Sequence, residues 1–494
     1  MASAPSLNAA TNVRPAAVPK VRRLHRLCLW LAALSLLVWV GSGLLHPLMG
    51  VLGPRPQAFM PPPMAIDGAA LAQGLPALLP QLEGAGLARV VPSAAGPLWQ
   101  ITAPQTLQRR YLQLDGSPAS LTDAGQAQWL GEHYTGRSAL AAPPRLITEF
   151  DADYPAVNRL LPVWRLEYSG AEQQVAYVHT ETGVLAGYVD PRKRAMQTAF
   201  RQLHTLAFLD ALPLAQRVLS GLAMLSVLVM AVTGLLLARQ RGGAQPVRRW
   251  HRRLGWIVLL PVLLMAGSGL LHAWFAPALR ASELRLPPPL QTAAAREAAA
   301  VTLPAALQAA ALRPGANGAL WLVWQASAVA PTVAAAAHHG PAAPATSALE
   351  GLALDGSARP LTLAELGASA AALHVAEADA GRPLFGFDPD YDFRNRRLPA
   401  WQIREPTSGD LLSFDPLTAV QIDRAAGATR FEAWTFAWLH KWNPLSAPLG
   451  RFGRDALQAL WLLLALGVAG LGLWIRLRGP RRSASASSPS PRGV

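Results

Sequence analysis

Four strongly apolar runs, each about as long as the thickness of a lipid bilayer requires, alternate with polar segments along the chain. Long polar regions follow the first and third runs, and a short basic loop joins the second run to the third. This pattern predicts four transmembrane helices and two large regions outside the membrane. The predicted segments are a disordered N-terminus at 1–21, spans at 22–46, 214–238, 251–275 and 453–476, large regions at 47–213 and 276–452, a loop at 239–250 and a disordered tail at 477–494.

The two polar regions contain β-prone stretches, bounded by turn signals, that alternate with helical periodicity, and this predicts α+β folds. The Ala- and Pro-rich stretch 326–348 carries neither signal and is expected to be loose. In the first region, the predicted strands are 98–102, 110–114, 163–168, 174–179 and 184–188, and the predicted helices lie near 68–82, 121–132 and 192–209.

A sequence repeat relates the first and third apolar runs. Residues 41–46 return unchanged at 267–272, and each copy ends 21 residues after a histidine, His25 in the first and His251 in the second. Matched frames of this kind predict two copies of one unit. Because each copy holds two spans, the copies share one orientation in the membrane. The predicted fold class is an integral membrane, α-helical four-span bundle built as two parallel repeats.

The protein has 494 residues and a net charge of +15, and the excess charge flanks the apolar runs. Residues 1–26, residues 239–253 and the tail from 476 hold 16 basic residues and no acidic one. This distribution follows the positive-inside rule, so we expect cytoplasmic termini and two periplasmic regions in a bacterial inner membrane. It gives no reason to expect nucleic acid as a partner. No small-residue cleavage site follows the first run, so it is expected to remain as an uncleaved helix rather than a signal peptide.

Six of the eleven histidines fall at matched positions beside the apolar runs. One such histidine would be interpreted as an interfacial side chain, but three matched pairs favour iron ligation, because neutral imidazole is a standard axial ligand of haem. The single cysteine, Cys28, excludes a CxxCH motif, so we expect two or more non-covalent haem b groups, with zinc as the weaker alternative. The candidate ligands are His25, His46, His204, His251, His272 and His440.

Helix geometry assigns these histidines to the two membrane faces. Twenty-one residues of helix rise about 31 Å, which places His25 at the inner face and His46 at the outer face. Gly43, one turn before His46, is expected to leave space for a macrocycle, as is Gly269 in the second copy, although glycines also serve close helix packing.

The inner face offers one pair across the copies, and the outer face offers alternatives. His25 and His251 are the available inner ligands. The sequence leaves two outer arrangements open, which are His46–His272, or His46–His204 together with His272–His440.

Further local patterns accompany the histidines. Leu-His pairs precede the second and fourth spans, and strand-turn patterns recur in both polar regions. The second span ends near a Thr-Gly-Leu sequence, and the corresponding sequence of the fourth span has no Thr. These segments are 203–204, 439–440, 163–166, 176–183, 401–403, 412–418, 232–235 and 469–471. In these features, over about residues 22–478, the chain resembles the PepSY-associated transmembrane family. The resemblance implies two α+β PepSY-like extracytoplasmic regions. It also implies electron transfer to an outside acceptor, as in the family's haem-containing inner-membrane ferric-siderophore reductases.

The leading hypothesis is a transmembrane haem-b oxidoreductase for iron uptake. A quinol or a cytoplasmic flavoprotein would donate electrons at the inner face, and a ferric siderophore or another ferric chelate would accept them outside. No side chain is assigned a catalytic role, because the cofactor carries the chemistry. Walker, dinucleotide and Ser/His/Asp patterns do not occur. The alternative is a non-redox membrane scaffold or sensor whose PepSY-like domains bind an exported protein or peptide.

Overall fold

A computed structural model of the protein describes residues 17–239, 245–275, 284–293, 295, 301–315, 318–326, 349–354, 359–377 and 379–478. Of the predicted loose stretch 326–348, residues 327–348 lie outside these residues, as do 1–16 and 479–494 of the predicted disordered ends. Ala326 is the last residue of a strand and Leu477 the last residue of a helix, so the predictions are wrong at these two positions. The helices of the described residues are α1 (Ala17–Leu52), α2 (Gly68–Leu78), α3 (Asp123–Thr135), α4 (Pro191–His204), α5 (Pro213–Ala238), α6 (Pro246–Phe275), α7 (Leu363–Ala372), α8 (Gly427–Thr435) and α9 (Ser446–Leu477).

Four helices, α1, α5, α6 and α9, are long and apolar enough to cross a membrane. The first begins at Ala17, so residues 17–21 are helical and the prediction of disorder there is wrong. It also continues past His46 to Leu52, through Pro47. The proline removes one backbone hydrogen bond, and membrane helices tolerate such a loss. His46 therefore lies within the helix rather than at its end.

The four long helices form a closed ring. α1 contacts α5 and α9, and α6 contacts the same two helices. Small side chains lie where the helices meet, with Ala32, Ala223 and Ala266 all buried in one apolar cluster. Small residues let helix backbones approach closely and so increase van der Waals contact. This contact favours helix packing in a bilayer, where the hydrophobic effect does not drive helices together.

The strands form two small sheets and one large one. The four-stranded sheets have the orders β5-β6-β7-β8 and β12-β13-β14-β15, and the large sheet has the order β11-β10-β9-β2-β3-β4, with β1 paired to β9. The strands are β1 (Ile66–Asp67), β2 (Leu87–Ser93), β3 (Gly96–Thr102), β4 (Arg109–Leu112), β5 (Arg145–Ile147), β6 (Val163–Glu167), β7 (Val175–His179), β8 (Val184–Val189), β9 (Ala306–Pro314), β10 (Leu320–Ala326), β11 (Leu349–Ala353), β12 (Arg382–Leu384), β13 (Ala400–Arg404), β14 (Leu411–Phe414) and β15 (Gln421–Ala425).

The large sheet joins the two extramembranous regions, which the sequence predicted as separate units. β2 from the first region pairs antiparallel with β9 from the second, with Ala88 opposite Leu312 and Arg89 opposite Ala311. A buried apolar cluster lines this sheet and includes Trp99. Main-chain pairing and a common core therefore make the two regions one body above the membrane helices.

Buried ion pairs reinforce the joint. The guanidinium of Arg397 contacts Glu181 Oε2 at 2.6 Å and Asp415 Oδ2 at 3.1 Å. The second oxygen of Glu181 lies 3.6 Å from Arg89 Nη1 on β2. Glu181 belongs to the first region and Arg397 to the second. Both carboxylates that contact Arg397, those of Glu181 and Asp415, are buried. Buried charges require such partners, because the loss of hydration is costly.

Candidate functional site

The inner histidines each contact the second membrane helix of their own half. His25 Nδ1 lies 2.8 Å from the hydroxyl of Thr233 on α5, and His251 Nδ1 lies 3.1 Å from the carbonyl of Val468 on α9. Because the fourth span lacks the threonine, a backbone carbonyl takes its place as the hydrogen-bond partner.

A glycine lies beside each inner imidazole. A Cβ added at Gly234 would lie 3.6 Å from His25 Cε1, and one added at Gly472 would lie 3.2 Å from His251 Cε1. The second distance is below ordinary van der Waals contact, so the absence of a side chain at Gly472 is what allows the ring to lie there. These glycines carry no local sequence signal, since their histidine partners are more than 200 residues away.

The outer pair His204 and His440 repeats this arrangement. His204 Nδ1 lies 3.1 Å from Ser42 Oγ on α1, and His440 Nδ1 lies 3.3 Å from Ser268 Oγ on α6. His204 ends α4, whereas His440 ends a single π-helical turn, Phe436–His440. Both serines belong to the repeated motif at 41–46 and 267–272, in which the sequence analysis selected the glycine and the histidine but missed the serine.

The glycines of that motif face the imidazoles. A Cβ added at Gly43 would lie 3.4 Å from His204 Cε1, and one at Gly269 would lie 3.7 Å from His440 Cε1. This space was predicted to accommodate a macrocycle. In the structure each glycine accommodates the edge of a histidine ring from its own half of the chain.

The hydroxyl partners fix the tautomer of three histidines. Each of the three hydroxyl groups donates its single hydrogen to a carbonyl one turn earlier in its own helix, at 2.6–2.7 Å. Towards the imidazole, the oxygen then acts as an acceptor, so Nδ1 must carry the hydrogen. The carbonyl partner of His251 is also an acceptor and imposes the same tautomer.

His272 has a charged acceptor in place of a hydroxyl group. Its Nδ1 lies 2.5 Å from Glu432 Oε1, and Phe436 stacks on the ring at 4.1 Å. His46 has no hydrogen-bond partner on its ring within the described ranges. Five of the six selected histidines therefore present Nδ1–H to an acceptor, and none of the five has a partner at Nε2 among the residues that the structure describes. Nε2 is the lone-pair nitrogen in this tautomer.

Six aromatic rings form a row that connects the two halves. Neighbouring ring centroids lie 4.1–6.4 Å apart, and the longest separation is the one between the two halves. The order along the row is His46, Phe200, His204, His440, Phe436 and His272.

The phenylalanines of this row were missed by the sequence analysis. Phe200 and Phe436 each lie four residues before a selected histidine, which is a helical neighbour position. This spacing repeats in both halves and was a usable signal. Phe200 lies between His46 and His204 in the row, and the ring contact across the halves joins His204 to His440, which neither predicted pairing included.

Burial keeps the central histidines neutral. The loss of hydration lowers the pKa of His204 to about 4 and that of His440 to about 3. At neutral pH, both rings therefore retain a lone pair for a metal. Within the described residues, no group of three or more His, Cys, Asp or Glu side chains converges on one point as a metal-ion site. The donor set instead consists of single imidazoles on separate helices, and each could supply one nitrogen ligand to a metal or a metal-containing cofactor.

Comparison with known proteins identifies the chain. No curated protein matches it. The family model described as the PepSY-associated TM region matches residues 81–476. This match includes most of the chain, the spanning helices α5 and α6, α9 except for its last residue, and both four-stranded sheets, but not α1. The protein is therefore a multi-pass membrane protein with four candidate spanning helices, and it belongs to the PepSY-associated TM region family.

Proposed function

We propose that the protein is a transmembrane haem-b electron-transfer protein that reduces a periplasmic acceptor, a ferric siderophore or another ferric chelate, for iron uptake. The observation that carries the proposal is the common tautomer, because five matched histidines have Nδ1–H engaged and Nε2 free for a metal. Histidine ligands are held in this manner in metal sites, where a partner at the second nitrogen fixes the ring.

Each face of the membrane would have its own ligands. His25 and His251 would hold haem b at the inner face, and the four outer histidines would hold it at the outer face. Haem b supplies one-electron chemistry through the change in the oxidation state of its iron. The protein's residues bind and orient it, and the surrounding apolar helices exclude water.

The proposed topology follows the charge distribution. Both termini and the loop near 245 would be cytoplasmic in a bacterial inner membrane, and the joined sheets would be periplasmic. A quinol or a cytoplasmic flavoprotein would supply electrons at the inner face. The ferric chelate would be reduced beside the row of rings, near the base of the periplasmic body, and ferric-specific oxygen ligands would release the ferrous product.

The proposal includes a duplicated architecture. Equivalent hydrogen bonds support it, since Tyr154 donates to the carbonyl of Leu160 at 2.9 Å and Tyr391 donates to that of Arg397 at 2.8 Å. The helical segment that ends in the matched histidine also has the same length in both halves. It is α4, Pro191–His204, in the first half, and α8 with the π turn, residues 427–440, in the second. These contacts, with the paired histidines, are consistent with two parallel repeats.

Reoxidation kinetics test the proposed acceptor. Detergent-purified protein is reduced without oxygen, mixed with a ferric siderophore, and followed by its haem absorbance and by a ferrous-iron indicator. The proposal expects reoxidation with one ferrous ion formed for each electron lost, and no reoxidation by the gallium chelate of the same siderophore, because gallium(III) does not accept the electron. Equal reoxidation by both chelates, or none by either, would contradict the proposed acceptor.

A further inference from the structure

The two outer histidines that end the repeated motif have different surroundings. In the second half, His272 Nδ1 lies 2.5 Å from Glu432 Oε1. Glu432 is buried, with 6% of its surface exposed, and its backbone carbonyl accepts a hydrogen bond from Thr435 at 2.9 Å. Phe436, on the next helical turn, covers the imidazole face at 4.1 Å. The carboxylate is therefore fixed against one ring nitrogen, with the other nitrogen left free.

The first half lacks this carboxylate. Residues 191–204 correspond one for one to residues 427–440, because both segments end in the matched histidine and place Phe four residues before it. The position of Glu432 is then occupied by Met196, whose thioether is a weak acceptor. His46 has no hydrogen-bond partner on its ring within the described ranges, and the charged groups that act on it electrostatically come from the second half. They are Lys441, Arg451, Arg454 and Asp455.

The chemical nature of the acceptor decides what the contact does. Hydroxyl and carbonyl acceptors orient an imidazole without adding charge, as Thr233, Val468, Ser42 and Ser268 do. A carboxylate acceptor forms a stronger, charge-assisted hydrogen bond. It also draws the Nδ1 hydrogen towards itself, which increases the electron density at Nε2 and the basicity of the ligand. Among these acceptors, to which the carbonyl of Met265 beside His440 also belongs, Glu432 is the one that carries a charge.

We propose that Glu432 is a positioning residue that fixes His272 with its hydrogen on Nδ1. The same contact makes the Nε2 of His272 the most basic metal ligand among the outer histidines. The part that concerns haem rests on the proposed function. If His272 ligates iron, the haem that it holds has the most negative reduction potential at the outer face, because a more basic ligand stabilises the ferric state. The two halves are then unequal in redox terms despite their matched histidines.

A pair of substitutions separates charge from orientation. Glu432→Gln keeps an oxygen acceptor but removes the charge, whereas Glu432→Leu removes both. Met196→Leu, at the corresponding position of the first half, is the matched control. The first measurement uses full-length, haem-depleted protein carrying nitrogen-15-labelled histidine, in which the nitrogen shifts report the tautomer of His272; the signal is assigned by its loss in His272→Ala.

The expected results differ among the variants. The wild type and Glu432→Gln show His272 with hydrogen on Nδ1, and Glu432→Leu shows a mixture of tautomers, with unchanged shifts in Met196→Leu. In haem-loaded protein, redox titration of Glu432→Gln raises one midpoint potential and leaves the others in place. Glu432→Leu weakens haem binding at that site by roughly ten- to a hundred-fold.

Each part of the proposal can fail separately from the proposed function. If His272 keeps the Nδ1–H tautomer in Glu432→Leu, the positioning role is wrong, whether or not the protein binds haem. If the midpoint potentials of Glu432→Gln equal those of the wild type, the effect on ligand strength is wrong. If the wild type binds no haem, the proposed function fails, while the tautomer measurement still decides the positioning role.

Discussion

Thr233 Oγ1 lies 2.8 Å from His25 Nδ1, and the same hydroxyl donates its hydrogen to the carbonyl of Val229 at 2.6 Å. The threonine is therefore an acceptor for the imidazole, and His25 carries its hydrogen on Nδ1. One side chain on α5 thus determines which nitrogen of a histidine on α1 keeps its lone pair. This relationship is the basis of the first prediction.

Thr233→Val removes the acceptor and keeps the shape of the side chain. Without the acceptor, His25 is free to adopt either tautomer, so we expect the inner haem to bind roughly ten- to a hundred-fold more weakly. Haem titration of depleted protein, followed by absorbance, measures the loss. Ser226→Ala on the same helix is the matched control, because Ser226 donates only to the carbonyl of Ala223 in its own helix. Equal affinities in the two variants would contradict the role of Thr233.

Gly472→Ala tests the space beside His251. The added methyl group would lie 3.2 Å from His251 Cε1, so the ring has to move or the helices have to separate. We expect the variant to lose inner haem while the outer haem remains, as measured by the haem-to-protein ratio and the spectrum after purification. Gly470→Ala is the control on the same helix, since a Cβ there meets nothing within 4 Å. Full inner occupancy in Gly472→Ala would show that this close approach has no functional importance.

The spanning helices could be predicted, and the histidines selected as candidates, because both depend on local patterns. Apolar runs determine membrane spans, and a repeated motif identifies residues such as His46 and His272 without knowledge of the fold. The hydrogen-bond acceptors could not be assigned in the same way. Ser42 and His204 are 162 residues apart, and Thr233 and His25 are 208 apart. A serine in an apolar run also satisfies its hydroxyl within its own helix, so the sequence contains no sign of a distant partner.

The joined sheet was also beyond the sequence pattern. Periodicity locates strands such as β2 and β9, but the choice of partner depends on tertiary packing. The pairing of Ala88 with Leu312 connects segments from different polar regions. Alternation of apolar and polar residues would have looked the same if each region had formed its own sheet, and this explains why two separate regions were predicted.

Glu181→Gln tests the ionic joint between the regions. Burial alone would raise the pKa of Glu181, but the charges of Arg397 and Arg89 hold it well below its usual value. A carboxylate with a lowered pKa stabilises the folded state above its unfolded pKa of about 4.3, and that stability is lost as the pH falls below it. Removing one partner of a buried pair costs about 3–5 kcal/mol, so the variant should unfold at a lower temperature at neutral pH.

The pH dependence distinguishes this mechanism from a general loss of packing. Between about pH 5 and pH 2, the unfolding temperature of the wild type should fall more than that of Glu181→Gln, because the variant has no carboxylate to protonate at this position. Tryptophan fluorescence during heating measures the unfolding temperature of both proteins at each pH. Glu172→Gln is the control. Glu172 forms an ion pair with Arg137, but its side chain is 61% exposed, so this variant should behave as the wild type does. Parallel acid limbs in the wild type and Glu181→Gln would contradict the mechanism.

The central claim is that the matched histidines hold haem b, and the absorption spectrum of the purified full-length protein tests it most directly. The protein is produced with sufficient haem, purified in detergent, and measured in the oxidised and the dithionite-reduced state. We expect a Soret band that shifts on reduction together with sharpened α and β bands, and His25→Ala should lose the inner contribution while the outer one remains. A protein without a Soret band and without any change on reduction would contradict the claim and favour a non-redox scaffold or sensor.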